Sequence, residues 1–257
     1  MTFRTIALLA LAFALPVAAA PAIDDAREDR WASEVVPAIV VGDAVWLATP
    51  SRAKVLAIYT QPSGPPKAGV IVVHGLGVHP DFGMVGGLRT RLADAGYATL
   101  SVQMPVLSAG ATRDDYAVTL PAAAERLAAA VAFLRAQGIA RIALVSHSLG
   151  ATMADAFLAR PRAPRVDAWV PVGMFGGFAA DPQEPVLDVV AERELPEVAA
   201  AAPQRSKRLP RDGCSRALTI AGADHYFDSR QQELAAAIAD FLELVLGDRC
   251  AAPAHSP

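Results

Sequence analysis

The sequence predicts an α/β protein: a mainly parallel β-sheet with helices on both faces. Three observations carry that expectation. Short apolar runs rich in Val, Ile and Leu alternate with helical stretches from residue 69 to residue 247, and such alternation builds a parallel sheet covered on both sides. The run GVIVVHG at 69–75 is apolar almost without a break, the mark of a strand buried on both faces. The composition, 53% hydrophobic and 19% charged over 257 residues, excludes a disordered or collagen-like chain and a small disulfide-held scaffold. A core of this size buries about 70–75% of the unfolded chain's surface and needs no metal to fold.

The elements follow in order. Arg4, the apolar run Ile6–Leu15, Pro16 and the small-residue stretch VAAAPA have the layout of a secretory signal peptide over residues 1–22, cut between Ala19 and Ala22. The run is far shorter than the ~20 apolar residues of a spanning helix. No later stretch is expected to reach that length, and no nearby cysteine offers a lipid anchor. The expectation is a periplasmic or secreted chain with no stable membrane insertion after cleavage. Residues 23–52 read as a charged lead-in of weak structure (DDAREDRWASEVV) running into a first strand, 53–248 as one domain with no dividing linker, and 249–257 as a tail.

AIVVGDAVWLAT (38–49) and KVLAIYT (54–60) predict two antiparallel strands around a turn at Pro50–Ser51, and QPSGPPK (61–67) breaks the pattern. After the strand at 69–75, Leu88, Leu92 and Ala95 recur at helical spacing over 83–96, with Gly96 as the stop. A strand at 97–103 and a loop at 104–120 lead to the clearest helix, 121–138, opened by Pro121 and closed by Gly138. A strand at 140–146, a helix at 149–160 and strands at 166–174 and 185–191 follow; the last two are too close for an inserted lid domain. PEVAAAAPQRSKRL is weakly helical around Pro203, 216–222 is the last strand and 229–247 the last helix.

The sharpest motif is SHSLG at 146–150, joining a strand end to a helix start. A serine on such a turn, Ser148, is strained with its hydroxyl above the sheet, and the helix N-terminus behind it favours developing negative charge. Small residues are required two before and two after it. Gly150 and Ser146 meet that need, Ser146 standing where glycine is usual. HGLG at 74–77 ends the buried strand. The N–H of Leu76 from this loop, with that of Leu149, would hold the oxyanion of a tetrahedral intermediate, each donor being worth roughly 3–4 kcal/mol of barrier.

A nucleophilic serine needs an imidazole, and elimination among five histidines points to His225 in GADHYF. His255 is in the tail, His74 and His79 belong to the oxyanion segment, and the side chain of His147 is expected to point away from the nucleophile. The acid comes from PVLDVVAERELPEV. Glu194, about three residues past the strand end, fits best, and Asp188, inside the strand, is the alternative.

On these residues the chain resembles the α/β-hydrolase family over roughly residues 53–248. SHSLG matches the nucleophile elbow, HGLG the oxyanion loop, PVLDVVAERE the acid-bearing strand and loop, and GADHYF the histidine loop. The resemblance runs to lidless secreted bacterial serine hydrolases of the dienelactone-hydrolase and carboxylesterase kind. It implies a cofactor-free esterase acting on a small-molecule or polymeric ester through a covalent acyl-enzyme. In this topology the last helix ends beside the start of the last strand. Cys214 and Cys250 would therefore pair opposite the catalytic loops, as an oxidising compartment permits.

Two rival readings share the fold: a non-catalytic relative binding a ligand in the same cleft, and an acyltransferase or peptidase using the same triad. A metal site on His74, His79 and His147 is disfavoured, because no carboxylate stands at ligand spacing. A nucleic-acid partner is disfavoured by a net charge of −3 and the lack of a basic stripe. Met104, Leu107, Phe175 and Phe178 are expected to wall an open, partly apolar pocket.

Overall fold

The computed structural model describes residues 21–250; the leader up to residue 20 and His255 lie outside the described residues. Eight strands form one sheet: β1 (Asp43–Leu47), β2 (Val55–Thr60), β3 (Gly69–Val73), β4 (Ala98–Val102), β5 (Ile142–His147), β6 (Ala168–Val172), β7 (Leu187–Arg193) and β8 (Arg216–Asp224). The spatial order is β1-β2-β4-β3-β5-β6-β7-β8. β1–β2 and β2–β4 pair antiparallel, and every later pair is parallel. The crossing order brings β3 and β5, the two strands with the sharpest motifs, side by side.

The burial of β3 explains its unbroken apolar run. Ile71 and Val73 enter the core beneath α3 (Leu120–Ala136) and α4 (Leu149–Leu158), while Val70 and Val72 enter the core beneath α2 (Gly83–Asp94) and α6 (Gln231–Val245). A side-chain period of two sends successive residues to opposite faces, so both sets must be apolar. The helices thus lie on both faces, and no large cap covers the sheet's carboxyl edge.

Two elements differ from expectation. Residues expected to be weakly structured form a helix, α1 (Asp25–Val35), whose first turn is capped by Asp24 Oδ1 accepting from the Arg27 N–H at 2.8 Å. Its inner stripe is Glu28, Ala32 and Val35, and the charge at the first of these hides the amphipathic pattern. Glu28 is buried because Arg126 meets it at 2.9 Å. The second is α5 (Pro196–Lys207), which continues through Pro203. Its last turn is anchored by the fully buried Arg205, which pairs with Asp188 at 2.9 Å and donates to the carbonyls of Met174 and Gly176.

The helical run Asp114–Ala136 is long and apolar enough to cross a membrane, contrary to the expectation that nothing after the leader is. Half of it is buried, and Leu127, Ala130 and Leu134 pack into the core below the sheet, as in the central helix of a folded domain. At the sheet's other end Cys214 and Cys250 form a disulfide, their Cα atoms 5.2 Å apart, joining the residues before β8 to those after α6.

Candidate active site

The site lies beyond the carboxyl ends of β3, β5, β7 and β8. Ser148 sits between β5 and α4 at φ 56°, ψ −124°, a conformation that non-glycine residues rarely adopt. Its N–H donates to the Val172 carbonyl at 2.8 Å, tying the turn to β6. A Cβ on Gly150 would lie 2.2 Å from the backbone oxygen of His74, so only glycine fits where α4 passes β3. Ser146 is accommodated differently: its buried hydroxyl accepts from Trp169 Nε1–H at 2.9 Å. The usual glycine has become a small residue with a polar partner inside the sheet.

His225 Nε2 lies 2.9 Å from Ser148 Oγ, and His225 Nδ1 lies 2.5 Å from Glu194 Oε1. A carboxylate accepts, so the ring proton is on Nδ1 and Nε2 faces the serine hydroxyl as an acceptor. Glu194 also accepts the N–H groups of Leu195 at 2.9 Å and Ala191 at 3.2 Å. Burial pushes its carboxyl up, but His225 and the two backbone donors outweigh burial and hold it below the usual carboxylate range. β7 runs to Arg193, so Glu194 is the first residue past the strand rather than the third. Asp188 does not reach this histidine. It is held under the site by Arg205, and burial raises its carboxyl.

His147 does not point away. It lines the cavity beside Ser148, its ring centroid 5.0 Å from that of His225. Its Nε2 donates to the His225 carbonyl oxygen at 2.8 Å, which props the histidine loop. Burial, reinforced by His225, lowers its pKa to about 4, so the ring is neutral at ordinary pH. The sequence carried a signal for this. Residues alternate sides along β5, and Ser146 and His147 are the last two residues of that strand.

The HGLG loop closes the other side. A Cβ on Gly75 would come within 3.1 Å of Ser148 Cβ, so glycine permits the close approach. Among the described residues, the N–H groups of Leu76 and Leu149 donate to no other protein group. His74 is buried; its Nε2 accepts from the Met104 N–H at 2.8 Å and its Nδ1–H donates to the Gly75 carbonyl at 2.9 Å. Burial lowers its pKa to about 3 and keeps it neutral.

A cavity of about 250 Å³ opens over Ser148, lined by Leu76, Phe82, Met84, Phe175 and Tyr226 among others. Phe175 is a wall, with the Arg113 guanidinium 4.3 Å over its ring. Met104, Leu107 and Phe178 are core side chains instead, the last packed on Trp169. A larger groove of about 850 Å³ near the start of β6 is lined by none of Ser148, His225, Glu194 and His147. Among the described residues no cluster of three or more His, Cys, Asp or Glu could hold a metal ion.

Sheet order, turn and residue sequence together define the α/β-hydrolase fold in a form without a large cap. Comparison with solved structures agrees with that fold. The chain is similar to an α/β serine hydrolase homologue from Coxiella burnetii, with 16% identity, 79% of this chain and 99% of that chain covered, and TM-score 0.62. It is similar to dienelactone hydrolase from Anabaena variabilis, with 20% identity, 79% and 97% covered, and TM-score 0.63. It is also similar to a serine hydrolase without a lid from Xanthomonas campestris, with 16% identity, 80% and 95% covered, and TM-score 0.61. No protein-family model matches the chain, and no curated protein matches it.

Proposed function

We propose that the protein is a serine hydrolase that cleaves an ester of short acyl chain through a covalent acyl-enzyme. The observation that carries the reading is the chain Ser148 Oγ, His225 Nε2, His225 Nδ1, Glu194 Oε1, with steps of 2.9 and 2.5 Å across the ring. A ligand-binding relative of the same fold has no use for that line. The fold neighbours named as serine hydrolases support the same chemistry.

In this reading His225 takes the Ser148 proton as the Oγ–carbon bond forms, and the Leu76 and Leu149 N–H groups hold the oxyanion. The tetrahedral intermediate collapses, the carbon–oxygen bond to the alcohol breaks, and His225 returns the proton to the departing alkoxide. Water then gives its proton to His225 and attacks the acyl-enzyme, releasing the acid and restoring Ser148. Glu194 holds the ring tautomer and stabilises the imidazolium. No metal or cofactor enters any step. A cavity of about 250 Å³ is smaller than the ≈300–1,000 Å³ of typical ligand sites, which favours a short acyl group with the alcohol outside. The disulfide supports an oxidising compartment, hence a periplasmic or secreted location.

The test is covalent. A fluorophosphonate should label the protein at Ser148 and abolish ester hydrolysis, and Ser148→Ala should take no label. Labelling elsewhere, or none on folded protein, would sink the reading.

A further inference from the structure

We propose that the Leu76 oxyanion donor is strengthened by a buried cation, Arg126 of α3, acting through two peptide groups and the His74 ring. The proposal rests on the reading of Ser148 as nucleophile and adds a positioning residue remote from it. Arg126 Nη1 donates to the Gln103 carbonyl at 3.0 Å. That carbonyl shares a planar peptide group with the Met104 N–H, which donates to His74 Nε2 at 2.8 Å. With Nε2 accepting, the proton of the neutral ring is on Nδ1, which donates to the Gly75 carbonyl at 2.9 Å. The Gly75 carbonyl shares its peptide group with the Leu76 N–H. In a trans peptide the two point oppositely, so anchoring the carbonyl aims the N–H.

Every donor in this line points from the cation toward the reacting oxygen. Aligned hydrogen bonds polarise one another by roughly 10–30% per bond, and the guanidinium, its charge partly offset by Glu28 at 2.9 Å, stands at the far end with its positive side toward the line. The line is dry. The side chains of Arg126 and Glu28 are 1% and 2% exposed, and His74 is 1% exposed. Screening by water is therefore weak. Glu28 fixes Arg126 at 2.9 Å, and it stands on α1. Arg27 of the same helix donates to the Gly77 carbonyl at 3.1 Å, holding the end of the oxyanion loop. The charged segment before the sheet is thus tied to both ends of the line.

The experiment compares wild type, Arg126→Lys and the double variant Glu28→Gln/Arg126→Met. The double variant removes both charges together and avoids stranding one of them in the core. Each is assayed for ester turnover, for fluorophosphonate labelling of Ser148, and for affinity toward a trifluoromethyl ketone, whose serine adduct carries an oxyanion. Removing a whole oxyanion donor costs about 10²–10³ in rate, and weakening one should cost about tenfold. The folded double variant should lose about tenfold in kcat and in ketone affinity, with KM and affinity for the acid product within twofold. Arg126→Lys, still a cation, should lose less than threefold. In the wild type, ketone binding should also shift the His74 ring proton and nitrogen resonances, a readout that does not depend on any variant folding. Unchanged kcat in the double variant, equal loss of ketone and product affinity, or His74 resonances indifferent to the ketone would overturn the proposal. Failure of wild type to be labelled at Ser148 would instead remove the hydrolase reading beneath it.

Discussion

Glu194→Gln is the sharpest test of the site, because the structure says what the amide must do there. The carboxylate accepts from three donors: His225 Nδ1 at 2.5 Å, the Leu195 N–H at 2.9 Å and the Ala191 N–H at 3.2 Å. A glutamine offers one oxygen and one NH₂. With its oxygen toward His225 and Leu195, the NH₂ faces the Ala191 N–H, donor against donor, and a buried group is left unmet at about 1–3 kcal/mol of stability. With its NH₂ toward His225, the ring must carry its proton on Nε2, which then faces Ser148 and cannot accept from it. The first arrangement loses the charge that stabilises the imidazolium, and the second blocks the base. We expect kcat to fall on the order of 10²–10⁴, or about 3–5.5 kcal/mol of barrier, with KM little changed. The assay is turnover of p-nitrophenyl butyrate by protein checked for folding by circular dichroism. If Glu194→Gln keeps more than a tenth of wild-type kcat while folded Asp188→Asn loses a hundredfold, the assignment of the acid is wrong.

The packing around the site and at the sheet's far end has three further consequences. Gly173→Ala should lower kcat at least tenfold with the fold retained, because φ is +58° and a Cβ would stand 3.0 Å from the His225 ring; unchanged turnover would contradict the packing described for that ring. Replacing both Cys214 and Cys250 by Ala should cost about 3–4 kcal/mol in urea unfolding, from a loop of 36 residues in the chain-entropy model, and a loss under 1 kcal/mol would count against it. Asp155→Asn should stabilise the protein at pH 8. Burial raises this carboxyl to about 6 from 3.8, so the folded state holds the proton more tightly and stability falls as pH rises from about 3.8 to about 6, staying level above that. The gain is at most about 3 kcal/mol at 1.36 kcal/mol per pH unit and should vanish below pH 3.8; an equal gain at pH 4 and pH 8 would contradict the cause.

The legible parts of the sequence were those set by period and by spacing along the chain. Alternation of apolar runs with helices implied the parallel sheet. The strand, turn and helix around SHSLG singled out Ser148, and chain order selected His225. Proximity across the chain was less legible. α1 was hidden because its buried stripe begins with Glu28, a residue that is usually solvated, and its burial follows only from Arg126 ninety-eight positions away. The inward position of His147 depends on the carbonyl of His225, seventy-eight positions away. Met104 and Leu107 look like pocket walls in the sequence, because an apolar residue after a strand serves a core and a cavity equally well.

Glu194 and Asp188 mark the boundary most clearly. Sequence alone determined that an acid from the stretch 188–197 would be available near the end of a strand, because strand period and loop position are local properties. Which partner each of the two carboxylates meets was decided only by the tertiary structure. Arg205, arriving from α5, engages Asp188, while Glu194 meets the ring nitrogen of His225. A carboxylate's partner depends on which charged group is folded against it, and that is fixed by packing of elements distant in the chain.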